Sequence, residues 1–374
     1  MYLPFVIFFC GIVSNQALNN GLALTPPMGW LTWLRYGCSI DCVAKPDECL
    51  NENLIKKTAD LMVSEGYKAA GYTYVTIDDC WQDKNRSADG RLQPDATRFP
   101  SGMKELAAYV HKKGLKFGIY EDIGTETCEK YPGVKDHERK DAETLASWDI
   151  DYLKLDGCHN NPLDMDKDYP AFGKLLIETD RPILYSCGWP FYQESKHIQA
   201  NYSALAKHCN TWRNWGDIQN SWESVVSVMN WFGDNQERFA HFAGRGHWND
   251  PDVLVIGNSG LNVNQAQVQM AVWSILAAPL MMSVELATIK PEFKEILLNR
   301  NVIAVNQDKL GKQGLRVWKN ETSRHGIEVW KRKLTEDSYA IAFINLGDKA
   351  TVVSFTHEEI TLPEHDYIAG NGKE

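Results

Sequence analysis

Basic residues are in the minority in this chain. Lys and Arg number 39 against 49 Asp and Glu, a net charge of −10 over 374 residues. Phosphate binding needs a basic face, so the balance argues against nucleic acid as a partner. Long apolar runs are scarce as well. Tyr2 to Val13 is one, but it is too short to span a bilayer, and no later run is long and uninterrupted enough, so no membrane span is expected. No GxGxxG or GxxxxGK[ST] loop follows the first apolar strand, which weighs against a nucleotide-binding doubly wound sheet. No CxxC pair with a matching His spacing occurs, which discounts a zinc site. There are no fine-grained repeats and no low-complexity segment.

What is present describes a globular, secreted-type chain. Apolar residues make up 44% and charged residues 24% of the sequence, a composition that folds. The acidity serves solubility, or suits an acidic compartment in which partly protonated carboxylates repel each other less. Thirteen Trp and fifteen Tyr offer faces for the apolar sides of sugar rings, although most belong to a core. The run ending near Val13 reads as a signal peptide over residues 1–17 that lacks a basic start, with cleavage near Ala17. Cys10 leaves with it. The remaining Cys38, Cys42, Cys49, Cys80, Cys128, Cys158, Cys187 and Cys209 are an even set, as disulfides in an oxidising compartment require. Sequons at Asn85, Asn201 and Asn320 point to glycosylation in the same secretory pathway.

Periodicity then sets the architecture. Met28 to Trp33 reads as a first strand and Asn51 to Glu65 as a helix, with Leu54, Ile55, Thr58, Leu61 and Met62 at helical spacing. Strands follow at Gly71–Ile77, Lys116–Tyr120, Asp151–Asp156, Pro182–Cys187, Cys209–Trp215, His247–Ile256 and Pro279–Ser283, with helical stretches between them. Ser101 is placed to cap one of these helices. Eight β-then-α units over roughly 280 residues predict an α/β fold, a (β/α)8 TIM barrel over 18–310. Past Leu310-Gly311 the texture changes. Gly326–Lys333, Ser338–Asn345 and Thr351–Phe355 predict a short C-terminal antiparallel β-domain over 311–374, with a loose polar end at 370–374.

The stretch Asp151-Tyr152-Leu153-Lys154-Leu155-Asp156-Gly157-Cys158 is the most informative. As a strand, it turns Leu153 and Leu155 one way and Tyr152, Lys154 and Asp156 the other. Charges on the inward face of a closed core are costly unless they pair or do chemistry. Asp78 and Asp79 end the second strand, Asp217 follows the sixth, and Asp250 and Asp252 lie along the seventh. Most of these positions are at carboxyl ends of strands, the face that carries active sites in this fold. A metal cage and a structural salt-bridge network are competing readings. Lys154 and Arg213, interleaved with the acids, fit a neutral, hydroxyl-rich ligand better than a metal. Glycoside hydrolysis needs one ionised and one protonated carboxyl. Lys154 would keep Asp156 ionised by charge proximity, and partial desolvation would let Asp217 hold a proton. His247 reads as structural.

Several blocks resemble glycoside hydrolase family 27, in particular its animal lysosomal α-galactosidase and α-N-acetylgalactosaminidase branch. They are Met28-Gly29-Trp30-Leu31, Ile77-Asp78-Asp79-Cys80-Trp81, Lys154-Leu155-Asp156-Gly157-Cys158, Tyr185-Ser186-Cys187, Trp212-Arg213-Asn214 with Asp217-Ile218, and Gly246-His247-Trp248-Asn249-Asp250-Pro251-Asp252. The resemblance implies a retaining exo-glycosidase without a cofactor or metal. It makes Asp156 the nucleophile and Asp217 the acid/base. It also implies sugar-binding roles for Trp33, Asp78, Asp79, Tyr120, Lys154, Arg213 and Asp252, and disulfides Cys38–Cys80, Cys42–Cys49, Cys128–Cys158 and Cys187–Cys209. The implied partners are glycoconjugates ending in α-galactosyl or α-N-acetylgalactosaminyl groups. A homodimer and a lysosomal or secreted location are further implications.

Two departures stand out. Where galactose-specific relatives carry Glu and Leu, and N-acetyl-accepting ones Ser and Ala, this chain has Gly188 and Phe191. Bulky Phe191 leans the reading towards galactose, against an opening at Gly188. Ile218-Gln219 and Gly246-His247-Trp248 lean the other way. The C-terminal β segment is also shorter than in the family. A sugar-binding protein without turnover is the alternative of another class.

Overall fold

The computed structural model describes residues 20–320, 326–356 and 358–360. The expected signal segment 1–17 and the polar end 370–374 lie outside them. Eight short parallel strands form the centre: β1 Met28–Leu31, β2 Tyr74–Ile77, β3 Lys116–Asp122, β4 Tyr152–Asp156, β5 Leu184–Cys187, β6 Thr211–Arg213, β7 Trp248–Asp250 and β8 Leu280–Met282. They are ordered β7-β6-β5-β4-β3-β2-β1-β8. The sheet closes beyond β7, where Leu254 bridges Met282; the Leu254 amide donates to the Met281 carbonyl at 2.8 Å. A helix follows each strand and covers the outside, so outward residues such as Val75, Leu153 and Leu155 are fully buried.

The barrel strands differ in length from the sequence reading for local reasons. The first ends at Leu31, and the chain coils into a helical turn at Trp33–Tyr36. The second starts only at Tyr74, because Gly71 takes a left-handed conformation with φ 113° and closes a turn there. The seventh stops at Asp250, since Pro251 has no amide for the ladder and Asp252 sits at φ 82°. The third instead runs two residues further than expected, to Asp122. Asn51 and Ser221 cap their helices with side-chain oxygens. Ser101 does not; its amide and hydroxyl both donate to Glu52.

The C-terminal sheet is antiparallel, with order β11-β10-β9: β9 Leu315–Lys319, β10 Ile327–Lys333 and β11 Tyr339–Asn345. The expected strand at Thr351–Phe355 does not form. Leu315–Lys319 takes the second edge of β10 in its place, and Phe355 packs its ring on Trp318 and Phe343 as a cover. The new strand escaped notice because its charged Arg316 and Lys319 break the apolar pattern. Those charges turn to the helix Trp222–Phe239, where they meet Asn230 and Asp234.

Arg332 pins this sheet to the barrel. It is fully buried and donates to the carbonyls of Ser274, Val305, Asn306 and Lys312. Three of these acceptors are at the ends of the helices Val263–Ile275 and Arg300–Asn306, whose last carbonyls lack helical partners. Arg332→Met would leave them unsatisfied. The expected loss is about 2–4 kcal/mol of stability, measured by denaturant unfolding.

Candidate active site

The alternation of β4 points Tyr152, Lys154 and Asp156 into the barrel, and each finds a polar neighbour. The Lys154 Nζ pairs with Asp78 Oδ2 at 2.8 Å and lies 5.2 Å from the centre of the Tyr120 ring. Burial works against its charge, but Asp78 and then Asp156 more than offset this, so the ammonium is held well above its usual range. Asp78 is itself pushed up by burial, with Lys154 opposing.

Asp156 accepts hydrogen bonds from three donors. The Tyr192 hydroxyl (2.7 Å) and the Gly157 amide (3.0 Å) reach Oδ1, and the Tyr120 hydroxyl reaches Oδ2 at 3.1 Å. Both phenols are pushed far above their usual range, by burial first and then by the Asp156 charge, so they remain donors. The disulfide Cys128–Cys158 lies against the same carboxylate, with Cys128 Sγ 3.6 Å from Oδ2. Lys154, expected to act on Asp156 by charge proximity, makes its direct contact with Asp78 and interacts with Asp156 through its charge.

Arg213 organises the opposite side. One guanidinium nitrogen pairs with Asp252 at 3.0 Å and another with Asp217 at 3.0 Å. Asp252 also accepts from the Ile218 amide at 2.9 Å. Asp217 is 54% exposed. Burial would raise it, but the charges of Arg213 and Lys154 and the Arg213 hydrogen bond prevail and hold it below its ordinary value. This overturns the expectation that partial desolvation keeps Asp217 protonated. An arginine four residues earlier in sequence ends up in contact with it.

The remaining expected residues are placed as follows. Asp79 accepts from the Glu129 and Cys80 amides and is pushed up to about 6 by burial. Trp33 stands half-buried in the turn after β1. Gly188 packs on the acid itself, and a Cβ there would lie 2.8 Å from Asp156 Oδ1. Phe191 meets the Tyr192 ring edge-on at 5.1 Å and faces Gly216, the neighbour of Asp217. Cys38–Cys80, Cys42–Cys49 and Cys187–Cys209 are also bonded, so all four pairings exist. Asn85 and Asn201 are exposed. The described His, Cys and carboxylate atoms that gather most closely are Cys38, Cys80 and Glu129, and Asp122, Cys128 and Cys158. Their cysteines are disulfides, so neither group offers a thiolate to a metal.

The sequence reading passed over Glu121, Asp122 and Tyr192, and noted Asp250 only as an acid. Glu121 and Asp122 are fully buried, and burial pushes both well above the carboxylate range. Strand parity signalled Asp122, which shares a face with Tyr120.

Burial also pushes Asp250 up to about 6. Asp79 and Asp250 therefore bind protons more tightly folded than unfolded. Their contribution to stability is full below about pH 4 and lost as pH rises through about 6. The melting temperature is expected to be higher at pH 5 than at pH 7.5, with Asp250→Asn narrowing the difference; scanning calorimetry in matched buffers measures it.

A family model described as alpha galactosidase A matches residues 25–308. The alpha-N-acetylgalactosaminidase of Gallus gallus is 51% identical over 303 residues, covering 81% of this chain and 75% of its own length. Human alpha-galactosidase A is 49% identical over 335 residues, covering 89% and 77%. The crystal structure of alpha-galactosidase I from Mortierella vinacea superposes with a TM-score of 0.79 at 32% identity, over 91% of this chain and 86% of that one. With most of the chain matched in sequence and in fold, this protein belongs to the alpha-galactosidase A family, glycoside hydrolase family 27, and is a glycoside hydrolase.

Proposed function

We propose that the protein removes terminal α-linked galactose from glycoconjugates by a retaining double displacement, with Asp156 as nucleophile and Asp217 as acid/base. The observation that carries this reading is the contrast between the two carboxyls. Asp156 is aimed and fully hydrogen-bonded at the end of β4, whereas Asp217 is half-exposed with Arg213 as its partner. In the first step an Asp156 oxygen attacks the anomeric carbon, the glycosidic C–O bond breaks, and the departing oxygen takes a proton from Asp217. Water then gives a proton to Asp217 and attacks the same carbon, which frees Asp156. Asp78, Asp79, Lys154 and Asp252 supply the hydrogen bonds that hold a sugar. The reading includes a homodimer that matures through the secretory pathway to a lysosome or an extracellular fluid.

Phe191 supports galactose over N-acetylgalactosamine. Its ring spans from Tyr192 to Gly216, a bulk that would oppose an acetyl group beside Asp217, and a Cβ at Gly188 would lie 2.8 Å from Asp156 Oδ1, so the glycine adds little room. The 51% identity to an alpha-N-acetylgalactosaminidase supports the second reading, an enzyme acting on the N-acetylated sugar.

Asp156→Ala is expected to reduce turnover of a nitrophenyl α-galactoside to background. Asp217→Ala is expected to lose about 10²–10⁴-fold on a disaccharide, and less on the nitrophenyl substrate, whose leaving group hardly needs a proton. NMR of the first product should show the α-anomer; the β-anomer would refute retention. Because Arg213 holds Asp217 low in the free enzyme, kcat/KM should fall with rising pH at a lower pH than kcat does. On paired nitrophenyl substrates the galactoside should be preferred, and Phe191→Ala should shift the ratio towards the N-acetylgalactosaminide by roughly 10-fold.

A further inference from the structure

Asp122 is a fully buried acid beside the site that the mechanism above leaves without a task. It ends β3 in direct register with Asp156 at the end of β4. Its Oδ1 accepts from the Gly124 amide at 2.6 Å and its Oδ2 from the Cys158 amide at 2.8 Å. The second bond crosses to the turn after β4. The return bond runs from the Ile123 amide to the Asp156 carbonyl at 3.0 Å. Asp156 is thus gripped at its backbone by β3, while the turn two residues on is gripped by the Asp122 side chain. That turn has no slack. A Cβ on Gly157 would come within 2.7 Å of Met165 and of the Tyr192 ring. Asp122 also lies within 4.8 Å of both sulfurs of the Cys128–Cys158 disulfide, which touches Asp156 itself.

An acid placed here costs the fold a desolvated group, and a neutral residue could fill the space. The described charged and titratable groups that face it are Asp156 from β4, Asp79 from the end of β2, Tyr120 from its own strand, and Tyr169 and Tyr192 from the covering helices. None of them is a cation. With no cation beside it and burial holding it well above the carboxylate range, Asp122 acts on Asp156 through the turn that it fixes.

We infer that Asp122 is a positioning residue for the displacement, fixing the turn that aims Asp156. This rests on the reading of Asp156 as nucleophile. Asp122→Asn keeps the shape and removes one acceptor, so one of the bonds to the Gly124 and Cys158 amides is lost. It should lower kcat on a nitrophenyl α-galactoside by roughly 10- to 100-fold with KM changed less than about 3-fold. Galactose should still raise the melting temperature, which shows an intact sugar site. If Asp122→Asn does not fold, Asp122→Ser carries the same expectations. Unchanged kcat, or a lowered melting temperature with unaltered kinetics, would overturn the inference. Asp156→Ala runs alongside: activity surviving there would refute the nucleophile reading itself, whereas an inactive Asp156→Ala beside a normal Asp122→Asn refutes only the role of Asp122.

Discussion

Two buried cations decide what the mouth of this barrel can be. Asp78, Asp79, Asp156, Asp217, Asp250 and Asp252 crowd one end of a closed sheet, and most are nearly dry. Left alone, such carboxylates would take up protons or push the loops apart. Lys154 pairs with Asp78, and Arg213 joins Asp252 to Asp217. Each cation serves one side of the mouth, and the acids between them differ in state accordingly. Those whose partners are backbone amides, such as Asp79 and Asp250, are pushed up by burial. Asp217, which touches Arg213, is held down. The acids of the mouth therefore sit in unlike states, set by whether each touches a cation or only backbone amides.

The fold holds this arrangement by short, local ties. Disulfides Cys38–Cys80 and Cys128–Cys158 fasten loops that follow barrel strands, and Cys187–Cys209 joins the end of β5 to the segment entering β6. One of these bonds lies in contact with Asp156, so the crosslink that ties the loop also borders that carboxylate. Gly157 and Gly188 allow a close approach here: a Cβ would lie 2.7 Å from Met165 and the Tyr192 ring at the first and 2.8 Å from Asp156 Oδ1 at the second. Phe191 is a large ring on a short helix, resting against Tyr192. The same helix therefore carries a donor to Asp156 and a ring that faces Gly216 beside Asp217.

The C-terminal sheet is a separate layer with its own logic. Its contact face carries Glu328, Trp330 and Arg332, all nearly or fully buried. Arg332 caps helix ends of the barrel, and Glu328 receives Arg316 from the adjacent strand at 3.1 Å. Polar residues at this junction fix one docking geometry, because each buried donor needs its own acceptor.

Much of this was legible in the sequence. Alternating apolar and helical periods gave the eight-unit barrel, since burial on both faces of a parallel strand leaves a short apolar run that any reader can find. The inward set Tyr152, Lys154 and Asp156 followed from a period of two, and the acids ending successive strands marked the mouth. Strand ends were less legible, because Pro251, Gly71 and the helical turn at Trp33 act through backbone geometry. Leu315–Lys319 was hidden because its charges answer to a distant helix. The sequence by itself determined the barrel, the even set of cysteines and the face on which the acids collect, because those depend on local period and residue type. Only the tertiary structure decided that Lys154 holds Asp78, that Arg213 lowers Asp217, that Tyr192 donates to Asp156 and that Asp122 grips its turn. Each of these depends on distances between strands and loops far apart in sequence, and on how far each charge is removed from water.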